Sequence, residues 1–101
     1  MDADRDALRA AVKASLAQLQ AIAPGRSVEV RIPPFAAVQV VPGSTHRRGT
    51  PPAIVETDAQ TWLALANGSL TWAEATASGR LRASGERSDL SVYLPLEGTG
   101  R

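Results

Sequence analysis

Leu8, Val12, Leu16, Leu19 and Ala23 recur at the three- and four-residue spacing of one helical face, with Ala11 and Ser15 beside them. Arg9, Lys13 and Gln20 fall outside that stripe. Asp2, Asp4 and Asp6 precede it, where the positive end of a helix dipole favours acids. Pro24-Gly25 ends the pattern. The spacing predicts an amphipathic helix packed on a sheet. A helix lying on a membrane surface would carry more cations on its polar face.

From Ser27 the period changes to two. Val28, Val30 and Ile32 face one way, and Ser27, Glu29 and Arg31 the other, which predicts a half-buried strand. Pro33-Pro34 breaks it. Phe35 to Val41 predicts a second strand, with Ala36, Val38 and Val40 on one face and Gln39 turned away. The two strands are expected to pair antiparallel. Residues 42–52, PGSTHRRGTPP, are too rich in proline and glycine for regular structure. Ala53 to Thr57 predicts a short third strand.

Thr57 and Gln60 have the spacing of a capping box at the start of a second helix, with Asp58 in its first turn. Trp62, Leu65 and Ala66 line one face, and Asn67-Gly68 ends it. Thr71 and Glu74 form a second capping-box pattern, and Leu70 with Ala75 has the spacing of a hydrophobic staple. This short helix ends at Gly79. Arg80 to Ser84 alternates Leu81 and Ala83 against polar neighbours, so a strand follows. Beyond Ser88 the pattern fits two structures. Leu90, Tyr93 and Leu94 suit a helix, whereas Leu90, Val92, Leu94 and Leu96 suit a strand. Pro95 ends either one, and residues 97–101 are expected to fray. The order of elements predicts an α+β fold, its sheet mainly antiparallel and its helices packed on one face. No internal repeat or linker divides residues 1–101, so one domain is expected.

Composition narrows the function classes. The chain has 101 residues, 44% hydrophobic and 21% charged, as a globular protein does. A net charge of +1 argues against a nucleic-acid binder. No apolar run reaches the roughly 18 residues of a membrane span. The acidic N-terminus lacks the apolar core of a secretion signal, so a cytoplasmic protein without stable membrane insertion is expected. Cysteine is absent, which removes thiol nucleophiles and zinc-thiolate sites.

Catalytic patterns are thin. His46 is the single histidine, next to Arg47 and Arg48, which oppose its protonation. It reads first as a solvated loop residue. Arg47-Arg48 could grip a phosphate or carboxylate, although short charge runs are usually solvated. Arg80 and Arg82 read as charges that guard a sheet edge. The acids are scattered, without metal-ligand spacing. No metal, cofactor or catalytic residue is expected. Trp62 reads as core, and Trp72 as core or flap.

With these residues in place, the segment from Thr57 to Leu96 resembles the sterol carrier protein (lipid-transfer) superfamily, and within it the small stand-alone bacterial, specifically actinobacterial, members. The resemblance rests on Thr57-Asp58, Trp62, Asn67-Gly68-Ser69-Leu70, Ala73 to Ala77 and Gly79 to Gly85. It covers about 40 residues by motif; over the first half only the order of helix and strands agrees. The resemblance implies a carrier, not an enzyme, with an apolar cavity between sheet and helices for a fatty acid, acyl-CoA or sterol-like lipid. By position, the implied wall is Leu16, Val30, Val38, Val40, Trp62, Leu65, Leu70, Trp72, Leu81, Leu90 and Leu94. His46, Arg47 and Arg48 would meet an anionic head group. Little chain follows Leu96, where larger members carry more helix to close the tunnel. The cavity is therefore expected open, closed by a second subunit in a homodimer, or small. Two other functions fit the same pattern: an interaction or dimerisation module with a filled cavity, and an accessory domain holding substrate for a separate enzyme.

Overall fold

The computed structural model describes residues 2–43 and 53–96. Helix α1 (Asp2–Ile22) carries its apolar stripe inward, so Val12, Leu16, Leu19 and Ala23 are buried and Leu8 is half-buried. Strand β1 (Val28–Ile32) buries Val28, Val30 and Ile32 fully. Strand β2 (Ala36–Val40) pairs with it antiparallel, Val30 opposite Val38. The Pro33-Pro34 connection contains a cis peptide bond, and the Phe35 N–H donates to the Ile32 carbonyl at 2.8 Å.

Strand β3 (Ala53–Thr57) lies on the other side of β1 and runs parallel to it, Val30 beside Val55. Strand β4 (Leu81–Ser84) joins β3 antiparallel, giving the order β2-β1-β3-β4. The fold is α+β, with a four-stranded sheet that is mostly antiparallel and has one parallel pair. Val30, Val55 and Leu81 lie beneath the helices. On the opposite face Arg31 neighbours Glu56, which in turn neighbours Arg82. Charges of alternating sign across strands suit a wet face.

Helices α2 (Ala59–Asn67) and α3 (Trp72–Ala77) complete the helical layer. The α3 start has the expected reciprocal cap. The Thr71 hydroxyl accepts from the Glu74 N–H at 3.1 Å, and the Glu74 carboxylate accepts from the Thr71 N–H at 2.9 Å. Gly68 ends α2 in the left-handed region at φ 88°, a conformation glycine adopts without steric cost.

The expected capping box at Thr57 and Gln60 is not formed. Asp58 is the N-cap of α2, accepting from the Thr61 N–H at 3.0 Å and the Thr61 hydroxyl at 2.6 Å. An ionised carboxylate is a stronger acceptor than a hydroxyl. Thr57 stays in β3, where its hydroxyl donates to the Arg80 carbonyl at 2.7 Å. Residues 88–94 form neither a regular strand nor an α-helix; they hold one 3₁₀ turn, Ser91–Tyr93. Its burial follows the helical set more closely: Leu90 is buried, Tyr93 and Leu94 half-buried, and Val92 79% exposed. The Leu96 N–H donates to the Ala66 carbonyl at 2.8 Å and fastens the chain to α2.

Trp62 joins the helices. Its indole N–H donates to the Ser15 hydroxyl at 2.8 Å, and that hydroxyl donates to the Val12 carbonyl at 2.8 Å. All three residues are buried. At the far end of α1 the Val41 N–H donates to the Ala23 carbonyl at 2.6 Å. Gly25 passes so close beneath the Val41 carbonyl that a β-carbon there would overlap it.

Ser15→Ala would leave a buried indole N–H without an acceptor, at a cost of about 1–3 kcal/mol. Urea unfolding should report that loss at an unchanged m-value. In a Trp62→Phe background the same substitution should cost well under half as much, and equal losses in both backgrounds would show that the hydrogen bond is not the cause.

Candidate functional site

Two open grooves flank the sheet. The first, of about 320 Å³, runs between α1 and the free edge of β2. Lys13, Leu16, Ala17 and Gln20 come from α1; Phe35, Ala36, Ala37 and Val38 come from the β1–β2 turn and β2. Small side chains create it. Ala17 and Ala36 leave room where larger residues would close the seam. Buried Leu16 forms the floor with half-buried Val38 and Phe35. The Phe35 ring is held by cations: the Arg5 guanidinium carbon lies 5.3 Å and that of Arg9 5.9 Å from its centroid. Arg9 also pairs with Asp6 at 3.4 Å. The Gln20 amide donates to the Gln39 carbonyl at 3.4 Å and the Arg26 Nε donates to the Gln39 side-chain oxygen at 3.3 Å, so polar groups gather near the other end.

The second groove, of about 400 Å³, is polar. Pro33, Glu56, Thr57, Asp58, Gly79, Arg80 and Arg82 line it. Its acids and arginines oppose each other, so it favours neither sign of ligand. Burial works against ionisation of Asp58, but the hydrogen bonds from Thr61 outweigh it and hold the carboxyl below its ordinary 3.8. Glu74, exposed at the start of α3, is likewise held below its ordinary value by the Thr71 N–H and hydroxyl. Both acids are engaged as helix caps. Among the described residues no group of three or more histidines, cysteines, aspartates or glutamates could hold a metal ion. No described helix is long and apolar enough to cross a membrane.

A sheet with one wet face, helices on the other and an apolar groove where the two layers part is the arrangement to be compared with known proteins. The family model described as bacterial SCP ortholog matches residues 4–96. The chain belongs to this family of sterol-carrier-protein orthologs. A search of curated proteins finds no match.

Of the wall residues that membership in the sterol carrier family suggested from sequence, the first groove brings together Leu16 and Val38. Val30, Val40, Trp62, Leu65, Leu81 and Leu90 are buried in the core, each at most 2% exposed. Leu70, Trp72 and Leu94 are half-buried and packed against that core. None of these nine lines either groove. His46, Arg47 and Arg48 lie outside the described residues, as does the tail from residue 97. Reasoning from sequence missed Lys13, Ala17, Gln20, Phe35, Ala36 and Ala37 as groove residues. A signal existed: Arg5, Arg9 and Lys13 recur every four residues on α1, and the single phenylalanine opens β2 beside two alanines.

The lowered pKa of Asp58 carries a sign. Its cap contributes fully above 3.8, the ordinary value, and is lost as pH falls through the lower folded value. Near pH 7, Asp58→Ala should cost about 1 kcal/mol in chemical unfolding. That deficit should shrink as the pH is taken well below 3.8. A deficit constant across the range would mean that the charge of Asp58 contributes nothing to the cap.

Proposed function

We propose that the protein is a non-enzymatic lipid carrier, one domain over residues 1–101, that holds a fatty acyl chain in the groove between α1 and β2. The observation that carries this reading is the groove itself. It has an apolar floor of Leu16, Phe35 and Val38, polar groups on the α1 rim, and a volume of about 320 Å³. That is at the lower end of the roughly 300–1,000 Å³ of small-molecule sites. It suits one chain better than a fused-ring sterol. Membership of the sterol carrier family supports the same class of ligand.

Magnitudes set the affinity to expect. Burying about ten methylenes completely would yield about 8 kcal/mol, equivalent to micromolar binding. An open groove covers a fraction of the chain, and association costs several kcal/mol. Binding between millimolar and micromolar follows, which is the range of a carrier that loads and releases readily. Leu16 and Val38 act as wall, while Val30, Val40, Trp62, Leu65 and Leu81 form the packed interior that keeps the wall in place. The lowered pKa values of Asp58 and Glu74 fit structural work rather than proton transfer. A cytoplasmic location suits a chain of this kind.

The burial of so many expected wall residues favours a second reading, an interaction module whose interior is filled by its own side chains. One experiment separates the two. Ala17 is exposed and lines the groove, so Ala17→Trp should fill it without disturbing the core. Displacement of a fluorescent fatty acid, with native mass spectrometry on the same samples, should show uptake by the wild type and at least ten-fold weaker binding by Ala17→Trp. Uptake that ignores the substitution would move the ligand elsewhere. No uptake by the wild type, with dimers in the mass spectrum, would favour the interaction module.

A further inference from the structure

We infer that Lys13 makes the α1–β2 groove select a chain with an anionic head over the same chain with a neutral one. This rests on the carriage reading above. Arg5, Arg9 and Lys13 follow one another at four-residue intervals, which places them in a row along one side of α1. All three are exposed. Their engagements differ. Arg5 and Arg9 lie over the Phe35 ring at 5.3 and 5.9 Å, and Arg9 is also paired with Asp6 at 3.4 Å. Lys13 lines the groove and forms no ion pair with a described residue.

The row gives the groove a direction. At the Phe35 end stand three cations and Asp6. On the other side of Leu16 stands Gln20, neutral and donating to the Gln39 carbonyl; Arg26 beyond it is engaged with the Gln39 side chain and does not line the groove. Lys13 and Gln20 are seven residues apart, which is two turns or about 10 Å along the axis. The floor between them is Leu16 and Val38, with Ala17 on the rim. An anionic head at Lys13 and an apolar chain running toward Gln20 satisfy both parts. The reversed pose would leave the ammonium beside methylenes and the anion beside an amide already engaged. The acids on the strands themselves, Glu29 and Glu56, lie on the opposite face of the sheet, and Asp58 lines the other groove, so none of these opposes an anion here.

Lysine is the type of residue for this task at an open site. Its ammonium is a compact charge on a flexible stem, which can follow a head group without demanding bidentate geometry. The selectivity is accordingly modest. An exposed ion pair is worth up to about 1 kcal/mol, or about five-fold in affinity.

The test compares dodecanoate with 1-dodecanol, both below their aggregation limits, by titration followed through amide chemical shifts of Lys13, Ala36 and Val38. The wild type should bind dodecanoate about two- to five-fold more tightly at low salt. The preference should fade as salt is raised, because exposed charges are screened. Lys13→Met keeps the apolar stem and should equalise the two ligands by weakening dodecanoate alone. Lys13→Arg should restore the preference. Equal binding of both ligands to the wild type would overturn the role of Lys13 and leave carriage standing. So would a Lys13→Met variant that keeps the preference or weakens both ligands equally. Binding of neither ligand to the wild type would overturn carriage and this inference together.

Discussion

The indole of Trp62 reaches from α2 into α1 and ends on the hydroxyl of Ser15, and the orientation of α1 follows from that contact. A buried indole N–H that lacks an acceptor is costly, so the helix is held with Ser15 turned toward α2. Each helical residue turns the axis by about 100°. Lys13 and Ala17, two positions to either side of Ser15, are thereby turned away from α2. They face outward over β2, and Leu16 fills the angle between. A rotation of α1 by one residue would strand the indole, expose part of the Val12–Leu16–Leu19 stripe and remove Ala17 from the groove. One hydrogen bond in the core therefore sets which side chains the outer edge of the sheet meets.

The same helix is tied down at its C-terminal end, where Val41 and Ala23 share a backbone hydrogen bond over Gly25. Between that tie and the Trp62 contact the seam between α1 and β2 has the chance to close, yet Ala17 and Ala36 hold too little volume to close it. In the core, Val28, Val30, Ile32 and Val55 have no exposed surface. The opening at β2 thus arises from small residues at one boundary. An opening of this kind differs from a void in the core, and it avoids the loss of packing that an internal cavity brings.

Sequence reasoning was reliable where one local rule acted without competition. The alternation of Val28, Val30 and Ile32 fixed a strand face, and Thr71 with Glu74 formed the cap their spacing announced. It failed where two local rules competed. Thr57 and Asp58 could each cap α2, and the carboxylate took the position because its charge makes it the better acceptor while the Thr57 hydroxyl found the Arg80 carbonyl. The parallel pairing of β1 and β3 was invisible for another reason: a period of two reports which face a residue occupies and says nothing of the neighbouring strand. The groove was missed because its defining residues are alanines, which a pattern reader counts as helix formers or core filler. Val30 and Trp62, expected to line a cavity, are fully buried and line neither groove.

The electrostatics of the described acids fits the carriage proposed above. Among the described residues, the two carboxyls whose ionisation departs from the ordinary, Asp58 and Glu74, are both shifted downward, because each accepts hydrogen bonds at a helix start. A general acid needs the opposite shift, toward neutrality, usually from burial or a like charge nearby. Neither acid lines the apolar groove, where the ionisable residue is Lys13. What remains at the groove is a shape with an apolar floor and one charged end. A surface of that kind suits the carriage proposed above, which requires no reacting group.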